Sequence, residues 1–362
     1  MSLATPLIDL HQAAGAAIGE YFGTRLPARF DDFAAEYLAA RETVALVDSN
    51  FRALFSFTGP DRHRYLNAVL SSNVRDLQPG QGAAGLLLTS QGHILAEIET
   101  YACPDQILAL SHAMVRESTY ETLEKFIIMD DVTLDDLTDS AGMLFLAGPR
   151  AASVIAELSG ADIVEMPAFE HFETHLGFVA CRVIRQDWLG HAGALIVAER
   201  EELPALWNEL LAAVRTLGGA PAGMEAVNSL RLEAGLPWFG HDFDDKCIPH
   251  EAGLEHSHIN YEKGCYTGQE IVERVRSRGS VNRRLAGLRF SSAKPPAPGT
   301  KILFDGAEAG HVTSGAFSPR TGGPIGMGYV RREYLNVGTR LDASGIPAER
   351  IALPLEEKKA SA

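Results

Sequence analysis

Residues 285–330 read LAGLRFSSAKPPAPGTKILFDGAEAGHVTSGAFSPRTGGPIGMGYV. Four short runs within this stretch are strand-like: LAGLRF (285–290), TKILF (300–304), AGHVTSGAF (309–317) and GMGYV (326–330). The Pro- and Gly-rich pieces between them, such as AKPPAPG and SPRTGG, interrupt any ladder and turn the chain. Short strands at regular spacing with turn signals between them predict a small β-barrel or sandwich. We set the boundary near Gly279-Ser280, with a barrel domain and tail over 281–362 and a separate region over 1–280.

Upstream of that boundary helices and strands mix. Residues 50–58 (NFRALFSFT) alternate as a strand, and Gly59-Pro60-Asp61 then opens a helix carrying Tyr65, Leu66, Val69 and Leu70 at helical spacing. Runs 84–89 and 93–101 predict a hairpin joined by Ser90-Gln91-Gly92. Residues 203–217 form an apolar stripe that begins beside Pro204 and is closed by Gly218, a helix packed on a sheet. The fold class expected is α+β.

Acids outnumber bases by 47 to 32, so the formal net charge is −15, a field that repels a nucleic-acid backbone. Four cysteines with no CxxC pair disfavour both a secreted disulfide scaffold and a zinc knuckle. The first thirty residues lack a signal or transit pattern, and no run of eighteen apolar residues occurs, so a cytoplasmic protein is expected. Motifs GxxxxGK[ST] and GxSxG are both missing.

The densest chemistry lies in YEKGCYTGQEIVERVRSRG (261–279). Thr267-x-x-Glu270 fits a capping box, with Thr267 as N-cap and Cys265 two residues outside the helix. There the helix dipole and Lys263 would favour a thiolate, with Gly264 and Gly268 leaving room for a partner. A small buried cysteine filling a gap is the alternative. Arg274, Arg276, Arg278, Arg283, Arg284 and Arg289 follow, suited to steering an anionic tail or simply to a solvated helix end. His241, His250, His256 and His258 crowd near Asp242, Asp244 and Asp245, and a His-x-His pair on one face of a strand would suit a metal. No spacing matches a metal framework, so no metal ligands are assigned.

Lys263-Gly264-Cys265-Tyr266-Thr267-Gly268-Gln269-Glu270 resembles the signature octapeptide of the YgfZ family of folate-binding proteins linked to iron–sulfur cluster assembly and repair. The segments TGPDRHRYLNAVLSSNV, LLTSQGHILAEI, NSLRLEAGLPWFGHDFD and AGHVTSGAFSPRTGGPIGMGYV resemble, in order, the wider aminomethyltransferase (glycine-cleavage T-protein) superfamily. The resemblance implies a multi-lobed folate-binding fold around a central cavity, completed by a C-terminal β-barrel. It implies tetrahydrofolate or a derivative as cofactor, and iron–sulfur client enzymes or assembly proteins as partners, with neither membrane nor direct nucleic-acid binding. True T-proteins carry an Asp-Asp pair, one member of which serves aminomethyl transfer; the matching slots here are Ala96 and Glu97. By the same likeness Arg231, Trp188, Phe239 and Glu97 bind the folate, and Cys265, Lys263 and Glu97 carry the chemistry. Three readings stay open: a tetrahydrofolate-binding accessory protein that uses Cys265 for iron–sulfur enzymes, a folate-dependent aminomethyltransferase or demethylase, and a scaffold that binds no folate. Whether the chain is an enzyme is undecided on these residues, since the expected acids are largely replaced.

Overall fold

The computed structural model describes residues 3–187, 189 and 192–355. The chain forms two compact units, one from residues 1–227 with 255–271, the other from 228–254 with 272–362.

The first unit contains three sheets. Strands Leu3–Ala4, Thr24–Arg29 and Ala17–Tyr21 make the smallest, in that order. A six-stranded sheet runs His171–Leu176, Val179–Gln186, Gly193–Glu199, Ala141–Ala147, Ala45–Asp48 and Ala220–Pro221. Helix Leu203–Thr216 lays Leu203, Leu206, Trp207, Leu210 and Val214 into the core of this sheet, as its stripe predicts.

A five-stranded antiparallel sheet positions the candidate site. Its order is Gly82–Leu88, Ile94–Ala102, Ile107–His112, Arg52–Thr58 and Thr133–Asp136. Side chains alternate across a strand, and here the alternation separates two environments. Ala53, Phe55, Phe57, Leu87, Ala96, Ile98, Ile107 and Ala109 share one core with Tyr65, Leu66 and Val69 from helix Arg62–Val69, Leu70 just after it, and Leu123 from helix Arg116–Phe126. The positions of opposite parity include Arg52, which pairs with His112 in the register, together with Glu97, Glu99 and Tyr101. One face of the sheet is therefore its core, and the other sets these polar groups among buried leucines such as Leu54, Leu108 and Leu110.

The second unit is built on a closed barrel of six strands: Arg283–Phe290, Gly323–Arg331, Ala307–Ser318, Lys301–Phe304, Arg340–Asp342 and Pro347–Ile351. Its interior holds Leu288, Phe290, Ile302, Ala309, Val312 and Val330. The strand runs read from sequence all lie on these strands. No helix among the described residues is long and apolar enough to cross a membrane.

Candidate functional site

Glu97 sits mid-strand on this second face, its side chain about 22% exposed. His112 Nε2 donates to its Oε2 at 3.2 Å and His258 Nε2 to its Oε1 at 2.9 Å. Burial pushes the carboxyl up, but the bonds and charges of the two imidazoles outweigh it and hold the group well below the usual carboxylate range. His112 packs on Phe22 and Phe51, with ring centroids 5.5 and 5.9 Å away. Two residues further along the strand, Glu99 Oε2 accepts from Arg52 Nη1 at 3.0 Å, Tyr101 Oη at 2.7 Å and Gln186 Nε2 at 2.7 Å. The result is a carboxylate row whose members are each held by several donors.

His258 reaches Glu97 because residues 255–271 are strapped to the sheet. Ser71 Oγ donates to the His258 carbonyl at 2.6 Å and accepts from the Leu86 amide at 2.8 Å. The Asn260 amide donates to Ser71 O, and the Thr267 amide to Ala68 O. Lys263 is the main staple. Its Nζ donates to the carbonyls of Asn67 at 2.6 Å, in the last turn of helix Arg62–Val69, and of Leu70 at 2.5 Å and Ser72 at 2.7 Å, just beyond it. Burial pulls the Lys263 pKa down to about 7, with Arg75 adding to the effect, while the three carbonyls favour the ammonium that can serve all of them. Gly268 turns with φ +84°, and a Cβ there would lie 2.6 Å from Thr89 O, so only glycine fits against the hairpin turn.

These contacts correct two expectations. The helix begins at Gln269, not beside a Thr267 cap, because Gly268 takes the left-handed turn between them; Cys265 therefore lies four residues before it. The Lys263 ammonium, drawn on as a support for a Cys265 thiolate, is instead directed to three main-chain carbonyls. Cys265 itself is exposed, whereas Cys103, Cys181 and Cys247 are buried. Burial pushes the Cys181 thiol up to about 11 and raises Cys103 and Cys247 too.

Arg231, expected to hold folate, is fully buried in the barrel unit. Its guanidinium pairs with Asp242, bonds Asn228 Oδ1 at 2.9 Å and the Leu236 carbonyl at 3.2 Å, and lies 4.5 Å from the Trp238 ring centre. Asp242 also accepts from Thr313 and Ser314 hydroxyls at 2.6 and 2.5 Å and from the Trp238 amide at 3.0 Å. This closed ion pair fixes residues 228–254 to the barrel and engages the Arg231 guanidinium within the protein. Phe239 is buried edge-on to Phe243 in the same unit. Trp188 lies outside the described residues. Glu97, Lys263 and Cys265 thus share one unit, and Arg231 and Phe239 belong to the other.

The remaining clusters resolve locally. Arg276 pairs with Glu273, Arg283 with Glu251 and Arg289 with Glu349, so these arginines are answered by carboxylates. His256 and His258 lie in a loop, not on a strand face, and among the described residues no group of three or more His, Cys, Asp or Glu is arranged to hold a metal. Sequence reasoning missed His112 and Gln186. It noticed His258 only as a metal candidate. The usable signal for His112 is register: it closes a strand beside the one that carries Glu97, with side-chain parity that puts both on the same face.

Those residues fit a pterin. Gln186 is buried, and its Oε1 has no hydrogen-bond partner among the described residues while its Nε2 is engaged by Glu99 and Tyr101. A buried acceptor beside a carboxylate calls for N–H donors, which the amino-amide edge of a pterin offers.

Fold and site define a mixed α/β protein with a carboxylate–imidazole centre in one unit and a closed six-stranded barrel in the other. The family model described as the GCVT N-terminal domain matches residues 7–259, and that of the glycine cleavage T-protein C-terminal barrel domain matches residues 283–355. The chain belongs to the glycine cleavage T-protein family. It is similar to the aminomethyltransferase of Saccharopolyspora erythraea, 28% identical over 362 residues and 98% of each chain. That of Herpetosiphon aurantiacus is 30% identical over 340 residues, covering 93% of this chain and 92% of the relative. The crystal structure of glycine cleavage system aminomethyltransferase T from Bartonella henselae superposes with a TM-score of 0.89 at 27% identity, over 99% of both chains.

Proposed function

We propose that the chain is a tetrahydrofolate-dependent one-carbon transferase of the aminomethyltransferase type, with Glu97 as its working carboxylate. The observation that carries this reading is Glu97 itself, a partly exposed carboxylate clasped by two imidazoles on the strand where the resemblance puts the family's acid. Full-length similarity to aminomethyltransferases supports it. Bound tetrahydrofolate supplies the nitrogens that receive the one-carbon unit. Gln186 Oε1, with Glu99 beside it, accepts from the pterin edge. Glu97 holds or removes a proton at Oε1 or Oε2, the service that amine expulsion and N–H loss both need. Glutamate reaches one methylene further than the aspartate of true T-proteins, and the two imidazoles fix where that longer carboxylate ends.

The test is a calorimetric titration with tetrahydrofolate joined to a transfer assay using an aminomethylated carrier protein as donor. Binding and turnover are expected together. A protein that binds tetrahydrofolate and transfers nothing contradicts the reading.

A second reading is favoured by one observation, the exposure of Cys265 on a loop whose shape is set by Lys263 and Gly268. In it the chain is a folate-binding accessory to iron–sulfur enzymes. Iodoacetamide should then label Cys265 well before the three buried cysteines, and Cys265→Ser should bind folate normally yet fail to restore iron–sulfur enzyme activity in a deletion strain. Full complementation by the serine variant removes this reading.

A further inference from the structure

His258 bonds on both sides. Its Nε2 meets Glu97 Oε1 at 2.9 Å and its Nδ1 meets Ser257 Oγ at 2.7 Å. Ser257 is exposed, whereas the His258 side chain is only 12% exposed. The chain of contacts thus runs from a carboxylate on the sheet, through one imidazole, to a hydroxyl at the surface. The other imidazole differs. His112 is packed on Phe22 and Phe51, so its side of Glu97 is walled by aromatic rings.

Geometry also sets the tautomer. A carboxylate accepts and cannot donate, so the neutral ring carries its hydrogen on Nε2 and accepts from Ser257 at Nδ1. In that state a hydronium ion can give a proton to Ser257 Oγ, leaving water, while the Ser257 hydroxyl proton passes to Nδ1 and Nε2–H moves to Glu97. Two O–H bonds and one N–H bond break, at the solvent, Ser257 and Nε2, and two O–H bonds and one N–H bond form, at Ser257, Glu97 and Nδ1, with no change in the number of protons on the ring. The ring is left in its other tautomer, with hydrogen on Nδ1. Unloading Glu97 runs the same hops outward and restores the first tautomer. A cycle that uses Glu97 once as acid and once as base therefore resets the ring without rotation.

We propose that Ser257, His258 and Glu97 form a proton relay between the surface and the working carboxylate, with His258 loading and unloading Glu97 during one-carbon transfer. This rests on the transferase reading above. Lys263 and Ser71 are its positioning residues, since they hold the strap that delivers His258. The charged and titratable groups that face Glu97 are His112, His258 and Arg52, with Glu99 next along the strand.

Two arms test it on the full chain. In folate-free protein labelled with 15N-histidine, His258 should rest as the Nε2–H tautomer; Glu97→Gln should shift its Nε2 signal and Ser257→Ala its Nδ1 signal. A ring resting with hydrogen on Nδ1, or signals indifferent to both substitutions, overturns the relay. In the transfer assay, His258→Gln should lower the rate by about 10²–10⁴-fold, the span of general acid–base catalysis, with tetrahydrofolate affinity unchanged within about twofold. His258→Ala should regain rate when imidazole is added, which a merely structural role would not allow. An active wild type whose His258→Gln variant is equally fast overturns the relay alone. A wild type without transfer activity overturns the underlying reading, and the relay with it.

Discussion

Glu97 and Asp242 are both carboxylates held below their ordinary range by cationic or polar neighbours, yet the two sites are built for different ends. Asp242 is fully enclosed; it is ion-paired to Arg231 and bonded to two hydroxyls and an amide, all within the barrel unit. Burial alone would raise its pKa, and those partners more than reverse that. Glu97 keeps an exposed edge, and the imidazoles that hold it can themselves take up and release protons. A buried carboxylate saturated with fixed donors is architecture. One left partly open between imidazoles can do proton chemistry.

The largest expected effect separates these roles by stability. Arg231→Ala leaves Asp242 as an uncompensated buried charge and should cost about 3–5 kcal/mol in denaturant unfolding. Tetrahydrofolate affinity of the folded fraction should stay as in wild type. Lost affinity at near-normal stability would break the comparison and return Arg231 to the ligand.

Lys263→Met comes next. It removes the donor from three carbonyls, and an unsatisfied buried polar group costs about 1–3 kcal/mol. Unfolding free energy should fall by that order, and His258 should lose its fixed distance to Glu97, seen as a broadened ring signal. An unchanged His258 signal would show that Ser71 and Asn260 hold the strap without the lysine.

A smaller effect appears with pH. Burial first, and the Arg182 charge second, pull the His171 pKa down to about 4 from an ordinary value near ~6.5. The folded state therefore keeps this ring neutral. Its contribution is complete above about 6.5 and is lost as pH falls from there towards 4, by roughly 1–3 kcal/mol, because the unfolded chain binds the extra proton. His171→Gln should flatten that part of the stability curve. A mutant curve that declines as steeply as wild type contradicts the assignment.

Much of the fold was legible because its signals are local. Strand runs after residue 280, the hairpin around Gly92 and the stripe over 203–217 depend on neighbours in sequence, and each appears where expected. The capping box failed because one residue, Gly268, takes a left-handed turn that the S/T-x-x-E pattern does not encode. The site was half legible. Glu97 and Cys265 stood out by motif, but their partners are remote: His258 lies 161 positions from Glu97, and the carbonyls under Lys263 lie 191 to 196 positions away. Arg231 was only partly legible, for the opposite reason. Its residue type suits a folate anion, and only burial reveals that Asp242, eleven positions on, already occupies it.

The most direct measurement is the single-turnover transfer rate of Glu97→Gln at saturating tetrahydrofolate, taken beside its unfolding curve. The amide preserves size and one acceptor but cannot hold a proton for transfer. Our account predicts a rate lower by about 10²–10⁴-fold, with stability and folate affinity close to wild type. A Glu97→Gln protein that transfers the one-carbon unit at the wild-type rate would contradict it.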